Sequence, residues 1–134
     1  MESRVPLPTD NIYKFYALFG LLLLIFGIAS TLYVNKSSND LVFEVGVEYE
    51  LLNANPVREV SEEARFQLLK KKLEVSKSNK LFFLSGLGVL IGIGVSMMGY
   101  GFKKWHMEIQ PIQDEIAKLN LKKLRREVGE DESA

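Results

Sequence analysis

Cysteine is absent from this chain of 134 residues, and histidine occurs once. Without cysteine there is no disulfide framework, no thiolate nucleophile and no cysteine-ligated metal. The single histidine, His106, stands beside Trp105 and reads as an interfacial residue rather than a catalytic base. Neither sign of charge prevails, with 17 Lys+Arg against 17 Asp+Glu, which removes the basic excess of a nucleic-acid binder. No pair of acidic residues comes with the neighbours that acid–base chemistry needs, so no catalytic residue, metal or cofactor is expected.

The decisive absence is local. A quarter of the residues are charged, yet Phe15–Val34 and Leu81–Phe102 contain no Asp, Glu, Lys, Arg, His, Asn or Gln. Each window reaches the ~20 residues that a helix rising 1.5 Å per residue needs to cross a ~30 Å hydrocarbon core. A soluble domain with one core does not sort its charges in this way. The lack of ionisable and amide groups inside the windows also argues against a pump or solo transporter, which holds such groups at membrane depth. The uncharged run near the N-terminus is longer than the apolar stretch of a signal peptide, so an uncleaved first span is expected.

What is present fits this frame. Residues 1–11 form a polar lead with Pro6 and Pro8, and the first transmembrane helix is expected over 12–34. Residues 35–80 make an extramembrane loop. Within it, Asn35–Asp40 is turn-like and 42–51 alternates polar and apolar residues, the signal of a strand. Asn55 and Pro56 read as the N-cap and first position of a loop helix over 57–77. Glu44, Glu48 and Glu50 share one face of the strand-like piece and read as solvated rather than as a calcium site. The second transmembrane helix is expected over 81–102 and an amphipathic cationic tail over 103–134. Pro111 is its one breaker, Gly129 its stop, and Glu130-Asp131-Glu132 its acidic end. The expected class is thus an all-α membrane protein, a two-span transmembrane helical hairpin with a long loop helix and an amphipathic C-terminal helix.

Interfacial anchors flank the windows: Lys14, Tyr33 and Lys36 around the first, and Lys80, Lys103, Lys104 and Trp105 around the second. Aromatic rings and long amines both favour the headgroup region. Lysine and arginine are nearly balanced across the two sides of the membrane, so orientation rests on the cationic tail, which is easier to leave untranslocated. Cytoplasmic termini in a bacterial inner (plasma) membrane are expected.

Six glycines crowd the second window, and Ser85, Gly88, Gly92, Ser96 and Gly99 form a small-residue series along it. Helices in lipid gain little from apolar burial against each other, so close backbone approach at small residues drives their association. The first window carries a heptad-like stripe through Ala17, Gly20, Leu24, Gly27 and Thr31. The two stripes can pack the spans of one chain together. Gly86, Gly94 and Gly101 lie off the Gly88/Gly92 face and point to contacts with other chains as well. In the tail, Ile112, Ile116 and Leu119 form one apolar stripe and Leu121 and Leu124 belong to a second. Lys122, Lys123, Arg125 and Arg126 stand among them, for a partner helix or anionic lipid.

These features predict a non-catalytic accessory or scaffolding subunit whose partners are the lipid bilayer and other membrane proteins, copies of itself included. Neither nucleic acid nor a small-molecule substrate is evident. The alternative is a homo-oligomeric pore or membrane-perturbing effector, similar to holin-like proteins in size.

Overall fold

The structure is a computed structural model and describes residues 11–129. The polar lead, apart from Asn11, and the acidic end expected at 130–132 lie outside the described residues. Three helices account for nearly all of the rest: α1 (Ile12–Ala54), α2 (Val60–Lys104) and α3 (Gln110–Val128), with a π-helical turn, Trp105–Ile109, joining α2 to α3. Both α1 and α2 are long and apolar enough to cross a membrane. At 1.5 Å per residue each is about 65 Å long, roughly twice a hydrocarbon core.

Asn11 starts α1. Its side-chain oxygen accepts the Tyr13 N–H at 2.9 Å, a donor that the first turn otherwise leaves orphaned, and its carbonyl accepts the Phe15 N–H as the first bond of the helix. The helix then runs to Ala54, and no strand occurs among the described residues. The strand expected over 42–51 and the turn expected over Asn35–Asp40 are therefore both helix. A lone strand has no partner for its N–H and C=O groups, whereas a helix already under way gains one hydrogen bond for each residue it adds. The alternation is also split by the helix: Val45 is buried at 5% exposure while Val47 and Leu51 stand outside at about 70%.

Proline ends α1, since Pro56 disfavours helical backbone at Asn55. The expected N-cap is displaced: Asn55 Oδ1 accepts the Val57 N–H at 3.2 Å and closes a local turn, and α2 starts only at Val60. There Glu62 accepts the Glu59 N–H at 3.0 Å, half of a capping box, and Glu62 and Glu63 place negative charge in the first turn. No break separates the expected loop helix from the second window, and α2 passes through both.

The chain divides into two compact units. Unit one, Leu23–Ile93, is a helical hairpin closed by the 55–59 turn. Its conventional core is small and lies near that turn, at Val45, Phe66 and Leu69. Tyr49 stacks on Phe66 with centroids 5.3 Å apart and planes 10° from parallel. Arg58 lies over Phe66 as well, 3.9 Å from the ring centroid. It also donates to the Leu52 carbonyl at 2.7 Å and to Glu63 at 2.8 Å. One guanidinium thus ties the Leu52 carbonyl, in the last turn of α1, to the first turn of α2. Away from the turn the seam thins to small groups, with Ser38 and Ser76 hydroxyls 3.4 Å apart and Gly27 against Ile91.

In the second unit, which takes in the residues up to Leu22 and from Gly94 onward, the helices approach through small residues. Ala17 is 1% exposed and Gly20, Gly94 and Gly101 are buried. Tyr13 and Tyr16 each meet Tyr100 edge-on at 6.2 Å. In both units the inward positions alternate in steps of three and four: Ala17, Gly20, Leu24, Gly27 and Thr31, then Val34, Ser38, Leu41 and Val45. That is the 3.5-residue period of coiled-coil packing, carried from an uncharged window into a charged segment without a change of register.

Near the 55–59 turn, Arg65 forks onto Glu48, one of its bonds being 3.0 Å long. Hydrogen bonding from Arg65 holds the Glu48 carboxyl below its ordinary range, and bonds from Gln67 and Arg58 do the same for Glu63. A carboxylate whose folded pKa is depressed adds stability above its unfolded pKa and loses it as pH falls through the folded value. Hydrogen-exchange protection of residues 45–69, corrected for intrinsic rates, is therefore expected to hold at neutral pH and to fall below about pH 4. Protection over residues 84–93, where no carboxylate occurs, should not move with it. Equal loss in both segments would refute the assignment.

Candidate functional site

Glycines along the two uncharged windows fall into two sets with different surroundings. The first set lies in the seams. A Cβ built on Gly20 would sit 2.5 Å from the Gly94 carbonyl oxygen and 2.5 Å from the Met98 nitrogen. One on Gly101 would run into the Ala17 nitrogen and stand 2.6 Å from the Tyr13 carbonyl oxygen. These neighbours are backbone and have no rotamer to change. On Gly27 the obstacle is instead the side chain of Ile91, with Cγ1 at 2.5 Å.

The second set faces outward. A Cβ on Gly86, Gly88, Gly92 or Gly99 meets nothing within 4 Å, and Ser85 and Ser96 are exposed on the same helix. The Ser85 hydroxyl donates back to the Leu81 carbonyl at 2.8 Å, so it presents little polarity of its own. Ala17, Gly20 and Gly27 of the first window pack on Ile91, Gly94, Met98 and Gly101, while Gly88, Gly92 and Gly99 leave open space where a Cβ would stand. Gly94 and Gly101, expected to serve other chains, are the intrachain contacts.

The expected interfacial residues gather at the ends of the windows. Lys14 Nζ lies 5.3 Å from the centroid of Trp105, whose ring is also 6.3 Å from Phe102. The indole nitrogen of Trp105 is buried without a hydrogen-bond partner. Lys104 pairs with Glu108 one turn on, and that hydrogen bond and charge raise the lysine's pKa. Lys103 and Tyr33 are exposed, and Lys36 and Lys80 line a cleft in the hairpin unit.

Pro111 does not break the tail from α2. The Gln110 N–H bonds to the Trp105 carbonyl, five residues back, and the widened turn makes room for the proline ring that an α-helical turn would force onto residue 107. From there α3 runs to Val128 and stops at Gly129, whose φ of 77° lets its N–H reach the carbonyls of Arg125 and Arg126. No residue of α3 is buried. Ile112, Ile116, Leu119, Leu121 and Leu124 are all more than half exposed, with Lys122, Lys123, Arg125 and Arg126 among them.

Among the described residues no three His, Asp or Glu side chains gather as metal ligands. Sequence reading missed the Arg58 junction, whose only signal was a lone arginine just after an Asn-Pro break. Comparison with protein-family models, curated proteins and solved structures finds no match for this chain.

Proposed function

We propose that this chain is a non-catalytic, two-span integral membrane protein that acts as an accessory or scaffolding subunit, docking on a different membrane protein through the outward small-residue face of α2. The observation that carries the reading is the separation of the glycines. Four seam glycines bring the two helices of this chain together, and the outward four are not needed for that. A glycine within a helix costs roughly 0.5–1 kcal/mol relative to alanine, and in lipid the usual return is close approach of another helix. The exposed apolar stripe of α3 supplies a second contact for the partner, and its cations suit a cytoplasmic surface of anionic lipid. Termini in the cytoplasm leave this helix untranslocated, and the hairpin turn then lies on the opposite side.

The test is extraction of the tagged chain in mild detergent followed by native mass spectrometry. The wild type should carry a different protein in fixed stoichiometry. Gly88→Leu with Gly92→Leu should strip it while leaving the helical content and Trp105 fluorescence of the chain unchanged. Undiminished association in the double variant would overturn the reading. A ring or ladder of 15.2 kDa copies alone would overturn it too, in favour of a homo-oligomeric pore, to be followed by liposome leakage.

A further inference from the structure

Within the hairpin unit the helices part around the Ser38–Ser76 contact and leave an open cleft of about 1000 Å³. Its lining is graded along the helix axes. Tyr33, Val34 and Phe83 form the end nearest the uncharged windows. Next come Lys36 on α1 and Lys80 on α2, each within two residues of an uncharged window, together with the polar Ser37 and Asn79. Toward the turn follow Asp40 and Glu44 from α1 and Lys71 and Lys72 from α2. The antiparallel register, fixed by Ser38 opposite Ser76 and Tyr49 opposite Phe66, sets Glu44 level with Lys71, with Lys72 between Glu44 and Asp40. The cleft as a whole holds four lysines against these two acids, an excess of two cations, and Lys36 and Lys80 are the pair nearest the uncharged windows. No ion pair among the described residues holds either amine.

An apolar, aromatic end followed by two amines at the edge of the uncharged windows is the polarity profile of an anionic amphiphile standing in one leaflet; the turn end mixes charged side chains with Leu41, Leu68 and Val75. We infer that this cleft binds an anionic phospholipid, with its phosphate between Lys36 and Lys80 and its acyl chains running past Tyr33, Val34 and Phe83 along the uncharged windows. Several features select a lipid over a soluble anion. The amines sit where hydrocarbon gives way to headgroups, the wall on the hydrocarbon side is apolar, and the volume is at the upper end of ligand pockets. Serine hydroxyls and the Asn79 amide supply donors beside the amines for the remaining headgroup oxygens. The inference rests on membrane insertion of the two windows but not on the docking of any partner protein.

The full chain is reconstituted in phosphatidylcholine nanodiscs containing a minority of phosphatidylglycerol, and the lipid retained on release is identified by native mass spectrometry. Wild type is expected to keep phosphatidylglycerol in preference to phosphatidylcholine. Lys36→Gln with Lys80→Gln should lower that retention about 25-fold, the product of two juxtamembrane cations. Lys36→Arg with Lys80→Arg should restore it, which separates charge from any loss of folding. Lys70→Gln with Lys77→Gln, exposed on α2 and outside the cleft lining, should leave retention at the wild-type level. Equal retention of both lipids, a Gln pair that behaves as wild type, or displacement by soluble glycerol phosphate would each overturn the inference. Flotation with vesicles separates the two levels: a chain that does not float refutes membrane insertion and this site together, and one that floats without selectivity refutes the site alone.

Discussion

Gly101→Ala and Gly20→Ala are expected to destabilise the helix pairing by about 1–3 kcal/mol, the range for a methyl forced into a packed interior, while Gly88→Ala and Gly92→Ala should be neutral or slightly stabilising. The difference in sign follows from what each new methyl meets. At Gly101 it would press on the Ala17 nitrogen and the Tyr13 carbonyl oxygen, and at Gly20 on the backbone of Gly94 and Met98. Relief at either site requires the helices to separate, which gives up the contacts of the small residues around them. At Gly88 and Gly92 the methyl meets nothing, and the change only replaces a flexible residue with a better helix former. Gly27→Ala should fall between these, because Ile91 can move its side chain. Trp105 is the only tryptophan and lies against Lys14 and Phe102, so its fluorescence during denaturation in mixed micelles reports on the unit holding Gly20 and Gly101. Equal shifts at Gly20, Gly101 and Gly99, an outward position of the same unit, would refute the division of the glycines. Leucine in place of alanine should enlarge the seam effect and leave the outward sites unchanged in detergent.

That division shows where the sequence was legible and where it was not. The uncharged windows announce themselves, because exclusion of charge over some 20 residues is a long-range property that no local preference can imitate. The heptad stripe from Ala17 to Thr31 was legible for the same reason. Its continuation through Val34, Ser38, Leu41 and Val45 was hidden by local signals. Asn35, Ser37, Ser38, Asn39 and Asp40 are turn formers, and Glu44 to Leu51 alternates with period two. Both are short-range preferences, and each yields to a helix that is already nucleated and has a second helix to pack against. Pro111 misled in the same direction, since the cost of proline in a helix presumes an α-helical turn before it, and a π-helical turn removes the clash. The glycine faces were harder. Spacing groups residues onto faces, but which face meets the companion helix depends on the rotation of α2 about its own axis. That rotation is set by contacts such as Gly20 with Gly94 and Met98, in which a one-turn shift changes every pairing.

Phe66→Ala is expected to cost the hairpin unit about 3 kcal/mol, at the lower end of the range for deleting a buried aromatic ring, and to do so locally. The unit has few large apolar groups to spare. Near the 55–59 turn its core is Val45, Phe66 and Leu69, and Phe66 meets both the Tyr49 ring and the Arg58 guanidinium. Removing the ring leaves Arg58 without the surface it covers, while its bonds to the Leu52 carbonyl and Glu63 must then hold the turn unaided. Arg58→Lys should recover only part of the wild-type stability, because an ammonium lacks the planar fork that reaches both helices while lying on a ring. Phe43→Ala is the control. Phe43 is 79% exposed on α1, and its loss should shift stability by no more than about 0.5 kcal/mol. The readout is hydrogen-exchange protection over residues 45–69, expected to drop in Phe66→Ala while Gly20→Ala, acting in the other unit, leaves it in place. If Phe43→Ala and Phe66→Ala lowered protection equally, the stacked trio would not be what closes the turn. The unit would then be held by the capping of α2 at Glu59 and Glu62 and by the salt bridge from Arg65 to Glu48.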